Sequence, residues 1–239
     1  EALFPFREYF QRFRHFGKNI IFSLVNTTIL SLFGATINVW VFLWIDGNNI
    51  GLLNQFETPF WIAALIASIL FDAWIYFWHR INHVVPFFWR FHQVHHSDTE
   101  MDMSTALRFH PGEILLSSIA NIAVFILIGI TVELIVIYKI VFNISVLFHH
   151  SNIDLPMKWD RLLRLLFVSP NMHRVHHSMK MKETNSNYSS ALSVWDRLFG
   201  TYRQSDPDKI VFGLEYDRTQ ENQTLKSLFT RPFKSRKSE

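Results

Sequence analysis

Residues 20–45, IIFSLVNTTILSLFGATINVWVFLWI, run for 26 positions without a charged side chain. An apolar stretch of about 20 residues is long enough to cross a bilayer as a helix, so this segment is expected to span a membrane. Before it stand Arg7, Arg12, Arg14 and Lys18; after it come Asp46 and Glu57, with no Lys or Arg until Arg80. The basic excess assigns the leading flank to the cytoplasmic side and the loop 46–57 to the opposite side.

Working outward, Thr58 and Pro59 open a second apolar helix, expected over about 59–78, which returns the chain and stops before Pro86. Residues 84–113 mix polar side chains with aromatics, as a membrane-surface segment does. Residues 114–148 are apolar again apart from Glu133 and Lys139, and are interrupted at Gly129 to Thr131. Two pieces, about 114–129 and 131–148, would each be roughly 25 Å long at 1.5 Å per residue, which suits a helical hairpin. Histidines lie just before this hairpin, from His92 to His110, and just after it, at His149 and His150. Only an even number of crossings brings them together. The expected fold is therefore all-α and integral to the membrane. About four transmembrane helices form two hairpins within one domain, 1–239, and a cytoplasmic helical cap is built from 79–113 and 149–225. A basic tail, 226–239, carries Lys226, Arg231, Lys234, Arg236 and Lys237, suited to anionic lipid.

Composition narrows the function. The chain is 49% hydrophobic with 24 Phe and 8 Trp, rich for a soluble domain. The net charge of +3 is small and is not organised as interleaved basic and aromatic patches, so nucleic acid is set aside. The absence of Cys removes disulfides, thiolate ligands, iron–sulfur clusters and a Cys-ligated haem. The chain opens at Glu1, and nothing at its start reads as a cleaved signal, so the first apolar run is taken as mature structure.

Twelve histidines are present, and most stand in spaced groups: His79 and His83; His92, His95 and His96; His149 and His150; His173, His176 and His177. Helical residues three and four apart share a face, so each group aims its imidazoles at one point. Imidazole suits Zn, Cu, Fe and Ni, and one ion takes three or four such ligands, so eight or more converging histidines imply two ions. A lone histidine is more often a surface or hydrogen-bonded core residue, and His15, isolated among basic residues, is read that way. Neighbours on a helix point about 100° apart, so one of His149 and His150 is expected to be structural. Asp72 lies two helical turns before His79 with Tyr76 between, placed either to orient a ligand imidazole from behind or simply to pack helices.

The order Asp72-x-x-x-Tyr76-x-x-His79-Arg80-x-x-His83, Trp89-Arg90-Phe91-His92-x-x-His95-His96-Ser97, Arg108-Phe109-His110-Pro111, His150-Ser151-Asn152, Pro170-x-x-His173-Arg174-x-His176-His177, Asn187-Tyr188 and Trp195-Asp196-x-x-Phe199-Gly200-Thr201 resembles the fatty acid hydroxylase and sterol desaturase family over roughly 72–202. The resemblance implies a non-haem di-iron centre at the cytoplasmic membrane face, using O2 and external electrons. It carries the ligand role to His79, His83, His92, His95, His96, His173, His176 and His177 in three histidine boxes, and to His150 before Ser-Asn. His149 stands where similar sequences often have Gln and is left out; His110 remains a secondary metal candidate. Asn187, Tyr188, Trp195 and Asp196 are expected to fold the cap over the metals.

The implied reaction is hydroxylation or desaturation of a C–H bond in a membrane lipid, fatty acyl or sterol-like. Phe and Trp residues over 71–91 would either line a slot for the chain or form an interfacial belt. Electrons would come from NAD(P)H through a separate donor, a cytochrome b5, ferredoxin or reductase, because no dinucleotide fingerprint is present. Arg174, Lys180, Lys182 and the basic tail are candidate docking charges for it. Among rivals, a zinc protease would need H-E-x-x-H, which is absent, and a bis-histidine haem protein would carry its ligands within the spans. The segment His110-Pro111-Gly112-Glu113 is only a faint echo of a cytochrome haem loop. The non-catalytic alternative is a metal-binding membrane scaffold that has lost activity.

Overall fold

The computed structural model describes residues 1–9 and 11–234 of the chain; Arg236 and Lys237 of the basic tail lie outside them. The described residues are helical, with only isolated β-bridges at Pro5–Ile153, Phe167–Leu192 and Ser178–Phe212. Helix α1 (Arg12–Ile29) continues through a π turn, Leu30–Gly34, into α2 (Ala35–Gly47). Helix α3 (Phe60–Val84) returns, and α4 (Pro86–His96) follows after a break at Val85, where Pro86 can start a helix but not extend one. Then come α5 (Pro111–Ile128) and α6 (Val132–His150), which form a hairpin. The remainder is short helices joined by irregular chain: α7 (Met157–Leu163), α8 (Pro170–His176), α9 (Met181–Thr184), α10 (Val194–Leu198) and α11 (Leu225–Thr230).

Among the described residues, four helices are long and apolar enough to cross a membrane: Arg12–Gly34, Phe60–Val84, Pro111–Ile128 and Val132–His150. The protein is a multi-pass membrane protein. Its packed interior includes Phe42 and Ile45 from α2, Phe71 from α3, Phe125 from α5 and Leu134 and Tyr138 from α6. Large side chains such as Trp61, Ile119, Leu127 and Ile144 point outward and exposed, as lipid-facing residues do. Polar pairs tie α3 to α5: the Trp74 indole donates to Asn121 Oδ1 at 2.8 Å and the Trp78 indole to Ser117 Oγ at 2.8 Å.

Two boundaries differ from the hydropathy reading. The first helix begins at Arg12, eight residues before the apolar run, because His15, Asn19, Phe22 and Asn26 fall on one buried face. Asn19 donates to Ser104 Oγ and Asn26 to the Phe109 carbonyl, each at 2.9 Å. The second helix does not stop at 78 but runs to Val84, so His79 and His83 ride the last turns of a span rather than a separate cap.

Both turns opposite the histidines meet. The Leu52 amide donates to the Leu127 carbonyl at 3.0 Å. Gly129 ends α5 in the left-handed region at φ 78°, and Gly51 faces it at φ 94°. A Cβ on Gly51 would sit 2.2 Å from the Gly129 amide nitrogen, so the loop and the hairpin turn can touch only as glycines. Gly51→Ala should therefore destabilise the fold by roughly 1–3 kcal/mol, read as a lowered thermal midpoint in detergent. Gly47→Ala, where an added Cβ meets nothing within 4 Å, should leave the midpoint unchanged.

Candidate metal centre

Nine of the twelve histidines converge at the end of the bundle away from those glycines. They form two groups, His79, His83, His92, His96 and His176, and His95, His150, His173 and His177, in each of which the ligand-capable nitrogens all lie within 4.8 Å of one another. Each group mixes donors from distant parts of the chain. Helix α3 supplies His79 and His83 and α4 supplies His92, His95 and His96, while α6 brings His150 and the third box, Pro170 to His177, closes over both groups.

The ring nitrogens report how these imidazoles are held. His79 Nδ1 donates to the Tyr188 carbonyl at 2.7 Å and His176 Nδ1 to the Ser186 carbonyl at 2.7 Å. A carbonyl only accepts, so both Nδ1 atoms carry the proton and both Nε2 atoms present bare lone pairs. Those two Nε2 atoms face each other at 3.0 Å. Two lone pairs at that separation repel unless a cation lies between them. In the second group the His150 tautomer is fixed in the same way, while Nδ1 of His95 and His173 finds no acceptor, so their Nε2 atoms can face it either bare or as donors. His150 Nδ1 donates to the Val146 carbonyl at 2.8 Å, and its Nε2 faces His173 Nε2 at 3.0 Å and His95 Nε2 at 3.2 Å. Protonation is a poor alternative. Burial first, then the neighbouring imidazoles, hold His95, His96, His173, His176 and His177 well below the ordinary histidine range. His83 Nε2 is buried without a protein partner, free for the same ion. Imidazole nitrogens bound about 2.1 Å from one ion lie roughly 3.0–3.4 Å apart at right-angle to tetrahedral bond angles, which matches these spacings. The donor set fits metal ions of the imidazole-binding class.

The remaining candidates are placed differently. His110 stands outside both groups: its Nδ1 accepts from the Gly112 amide at 3.0 Å, capping α5, and its Nε2 bonds the Phe229 carbonyl at 3.0 Å. His149 is buried with its ring 3.9 Å from that of His173, outside both groups. His15 is a hydrogen-bonded core residue, 2.8 Å from Asp98 and 3.1 Å from Asp102. Asp98 also pairs with Arg108 at 3.3 Å, so this cluster anchors α1 beneath the second histidine box.

Asp72 does not orient an imidazole. Seven helical residues are about 10 Å of rise, too far for its carboxylate, which instead accepts from Trp195 Nε1 at 2.8 Å, the Leu192 amide at 3.1 Å and the Tyr138 hydroxyl at 3.3 Å. Tyr76 acts at one remove. Its hydroxyl bonds Thr201 Oγ1 at 2.9 Å, Thr201 donates to Asp196 at 2.7 Å, and Asp196 accepts the Tyr188 amide at 2.8 Å. Tyr188 in turn holds His79. The loop at 185–188 touches three imidazoles, adding Asn185 Oδ1 at 3.3 Å from His83 Nδ1. Asn187, left-handed at φ 52°, is fixed by bonds from its side-chain amide to the Met172 and Arg203 carbonyls.

The residue that sequence reading passed over is Glu113. Its Oε1 accepts from His92 Nδ1 at 2.7 Å, and both side chains are buried. Among the described residues it is the carboxylate that contacts a clustered histidine. A signal was present: an acidic residue in the first turn of an otherwise uncharged membrane helix has to be paired. A carboxylate behind an imidazole fixes its tautomer and strengthens it as a donor.

Metal analysis of the purified protein should give two ions per chain, and His176→Ala and His95→Ala should each weaken a different one. Glu113→Ala should lower affinity for the five-histidine ion by roughly 10–100-fold in chelator competition, leaving the four-histidine ion in place.

Comparison with known proteins places these features. Residues 64–201, more than half of the chain, match the family model described as fatty acid hydroxylase. Alkylglycerol monooxygenase of Homo sapiens is 29% identical over 195 residues, 78% of this chain and 40% of that protein. Ornithine lipid hydroxylase of Rhizobium tropici is 29% identical over 146 residues, 61% of this chain and 43% of that protein. Cholesterol 25-hydroxylase of Mus musculus is 29% identical over 146 residues, 59% of this chain and 47% of that protein. The chain thus spans less than half the length of these relatives, and no solved structure matches it. With both histidine clusters inside the matched residues, the chain belongs to the fatty acid hydroxylase family.

Proposed function

We propose that this chain is a di-iron oxygenase that hydroxylates, or desaturates, a C–H bond of a membrane lipid with a fatty acyl or sterol-like body. The observation that carries the reading is the pair of buried, all-imidazole clusters at the end of a four-helix membrane bundle. The proposed ligands are His79, His83, His92, His96 and His176 for one ion and His95, His150, His173 and His177 for the other. A di-iron centre supplies oxygen activation, chemistry that no side chain of this protein carries. The relatives are named for alkylglycerol, an ornithine lipid and cholesterol, and each name is that of a hydroxylase or monooxygenase, which favours hydroxylation.

The chain's own part is to hold and to exclude. Nine neutral imidazoles would leave the charge of the ions largely uncompensated. Among the described residues, Glu113 is the carboxylate set against a clustered imidazole. Burial of the clusters keeps bulk water from the reaction. Hydroxylation consumes O2, two electrons and two protons, and yields the alcohol and water. With no cysteine and no dinucleotide fingerprint in these residues, the electrons would come from outside them, through a donor of the cytochrome b5, ferredoxin or reductase type fed by NAD(P)H. Arg174 is withdrawn as a docking charge: it is 2% exposed and donates to the Ile153 carbonyl at 2.7 Å, because a guanidinium beside the third box is needed to tie that box to the end of α6. Arg231 is likewise buried, against Asp217. Lys180 and Lys182 are exposed and remain for an acidic carrier. The basic flank of α1 supports the cytoplasmic side for this end of the bundle.

Lipid extracts of cells producing the wild-type chain should contain a product one oxygen heavier than its precursor, absent with His95→Ala or His176→Ala. Precursor and product unchanged by a fully metallated wild-type chain would favour the scaffold alternative. Reconstituted turnover from O2 and NAD(P)H should require an added carrier and reductase and should fall with salt. Maleimide should reach Lys180→Cys and Asn48→Cys from opposite sides of the membrane.

A further inference from the structure

Helix α7 and the turn after it are inverted. Trp159, Leu162, Leu165 and Leu166 are 54%, 58%, 68% and 53% exposed, while Asp160 and Arg164 are buried and paired at 3.0 Å. Ser169 donates to Asp160 from the protein side, and Arg197 donates to the Arg164 carbonyl. A helix in water turns its charges outward. This one keeps its ion pair inside and offers its apolar side chains to the surroundings.

A second strip continues the same face. The Phe167–Leu192 bridge, with Val168 N donating to the Ala191 carbonyl and Ser193 N to the Leu166 carbonyl, joins α7 to the α10 segment. There Val194, Leu198 and Phe199 are exposed at 40%, 65% and 39%.

The depth of this plate is set by its contacts. Leu192 and Trp195 both donate to Asp72, and the Phe199 ring lies 5.3 Å from that of Tyr76 and 4.8 Å from that of Phe77. Asp72 is the middle residue of α3, about 18 Å along the axis from either end. A hydrocarbon layer about 30 Å thick takes about 20 helical residues, and laid over the apolar stretch 59–78 of this chain it takes in Tyr76 and Phe77 just beneath its histidine-side surface. Backbone in such a layer must satisfy itself. It does: the N–H groups of Arg164, Leu165, Leu166, Phe167 and Val168 all donate to carbonyls within the protein. Lys158 and Arg161 are exposed beside the apolar strip, with stems long enough to carry their charges up to lipid phosphates.

We infer that residues 157–167 and 194–199 form a monotopic plate sunk into the leaflet on the histidine side, with phospholipid acyl chains as its occupant. The plate continues the lipid-facing surface of α3 and does not depend on the reaction proposed above. It makes part of the polypeptide beyond the last span a membrane element rather than a water-facing cap.

The absence of cysteine makes this directly testable. Leu165→Cys, Leu198→Cys and, as an aqueous control, Asp208→Cys are spin-labelled in the full chain and reconstituted singly into phosphatidylcholine nanodiscs, with two bound ions per chain confirming the fold. Power saturation is measured with O2 and with a water-soluble nickel chelate. At Leu165 and Leu198 relaxation by O2 is expected with loss of relaxation by the chelate; at Asp208 the reverse. Chelate relaxation at Leu165 and Leu198 equal to that at Asp208 overturns the inference. So does shielding that disappears when each disc holds one chain, since a second copy would then be the occupant.

Discussion

Everything at the working end of this protein depends on one electrostatic requirement. Histidines whose Nδ1 protons are committed to carbonyls turn unprotonated nitrogens toward each other at about 3 Å in a buried site. Without a cation that arrangement is repulsive, and burial opposes relieving it with protons. The scaffold must therefore be rigid enough to hold the imidazoles in place, and its interactions serve that end. The Tyr188 and Ser186 carbonyls, Asn185 and Glu113 fix the rings from behind. The Asp196, Thr201 and Tyr76 chain fixes the loop that carries two of those carbonyls.

The bundle explains how distant histidines meet. Helix α3 does not end at the membrane surface but extends two further turns, so His79 and His83 are positioned by a span held along its length. Helix α4 starts at Pro86 and lays the second box across them. The hairpin α5–α6 contributes at both of its ends: Glu113 in the first turn of α5 meets His92, and His150 in the last turn of α6 meets His95 and His173. Asp72 ties α3, α6 and the segment at 192–195 together near mid-helix. It is a brace of the bundle one level below the metal centre.

The two ion positions are not equivalent. The five-histidine group has a carboxylate behind His92, whereas Nδ1 of His95, His173 and His177 in the other group finds no protein acceptor. A negative charge behind one imidazole strengthens its donation to the ion it faces. Ions held in the two groups would therefore differ in affinity.

Much of this was legible in the chain. Apolar run lengths identified the membrane fold and the hairpin at Gly129, and the three- and four-residue spacing of histidines identified the groups, because both are periodic properties of a single helix. Even-crossing logic brought His150 to the other boxes for the same reason. The sequence alone could not partition the histidines into groups of five and four, since the second and third boxes each contribute to both and the split depends on how helices cross. Nor could it see that Asp72 reaches Trp195, that Glu113 reaches His92 or that Arg174 is buried. Those are contacts between residues 21 to 123 positions apart, and tertiary packing alone decides them. The sequence determined which residues could meet, through local periodicity; the tertiary structure decided which did, because side-chain partnership depends on distance in space.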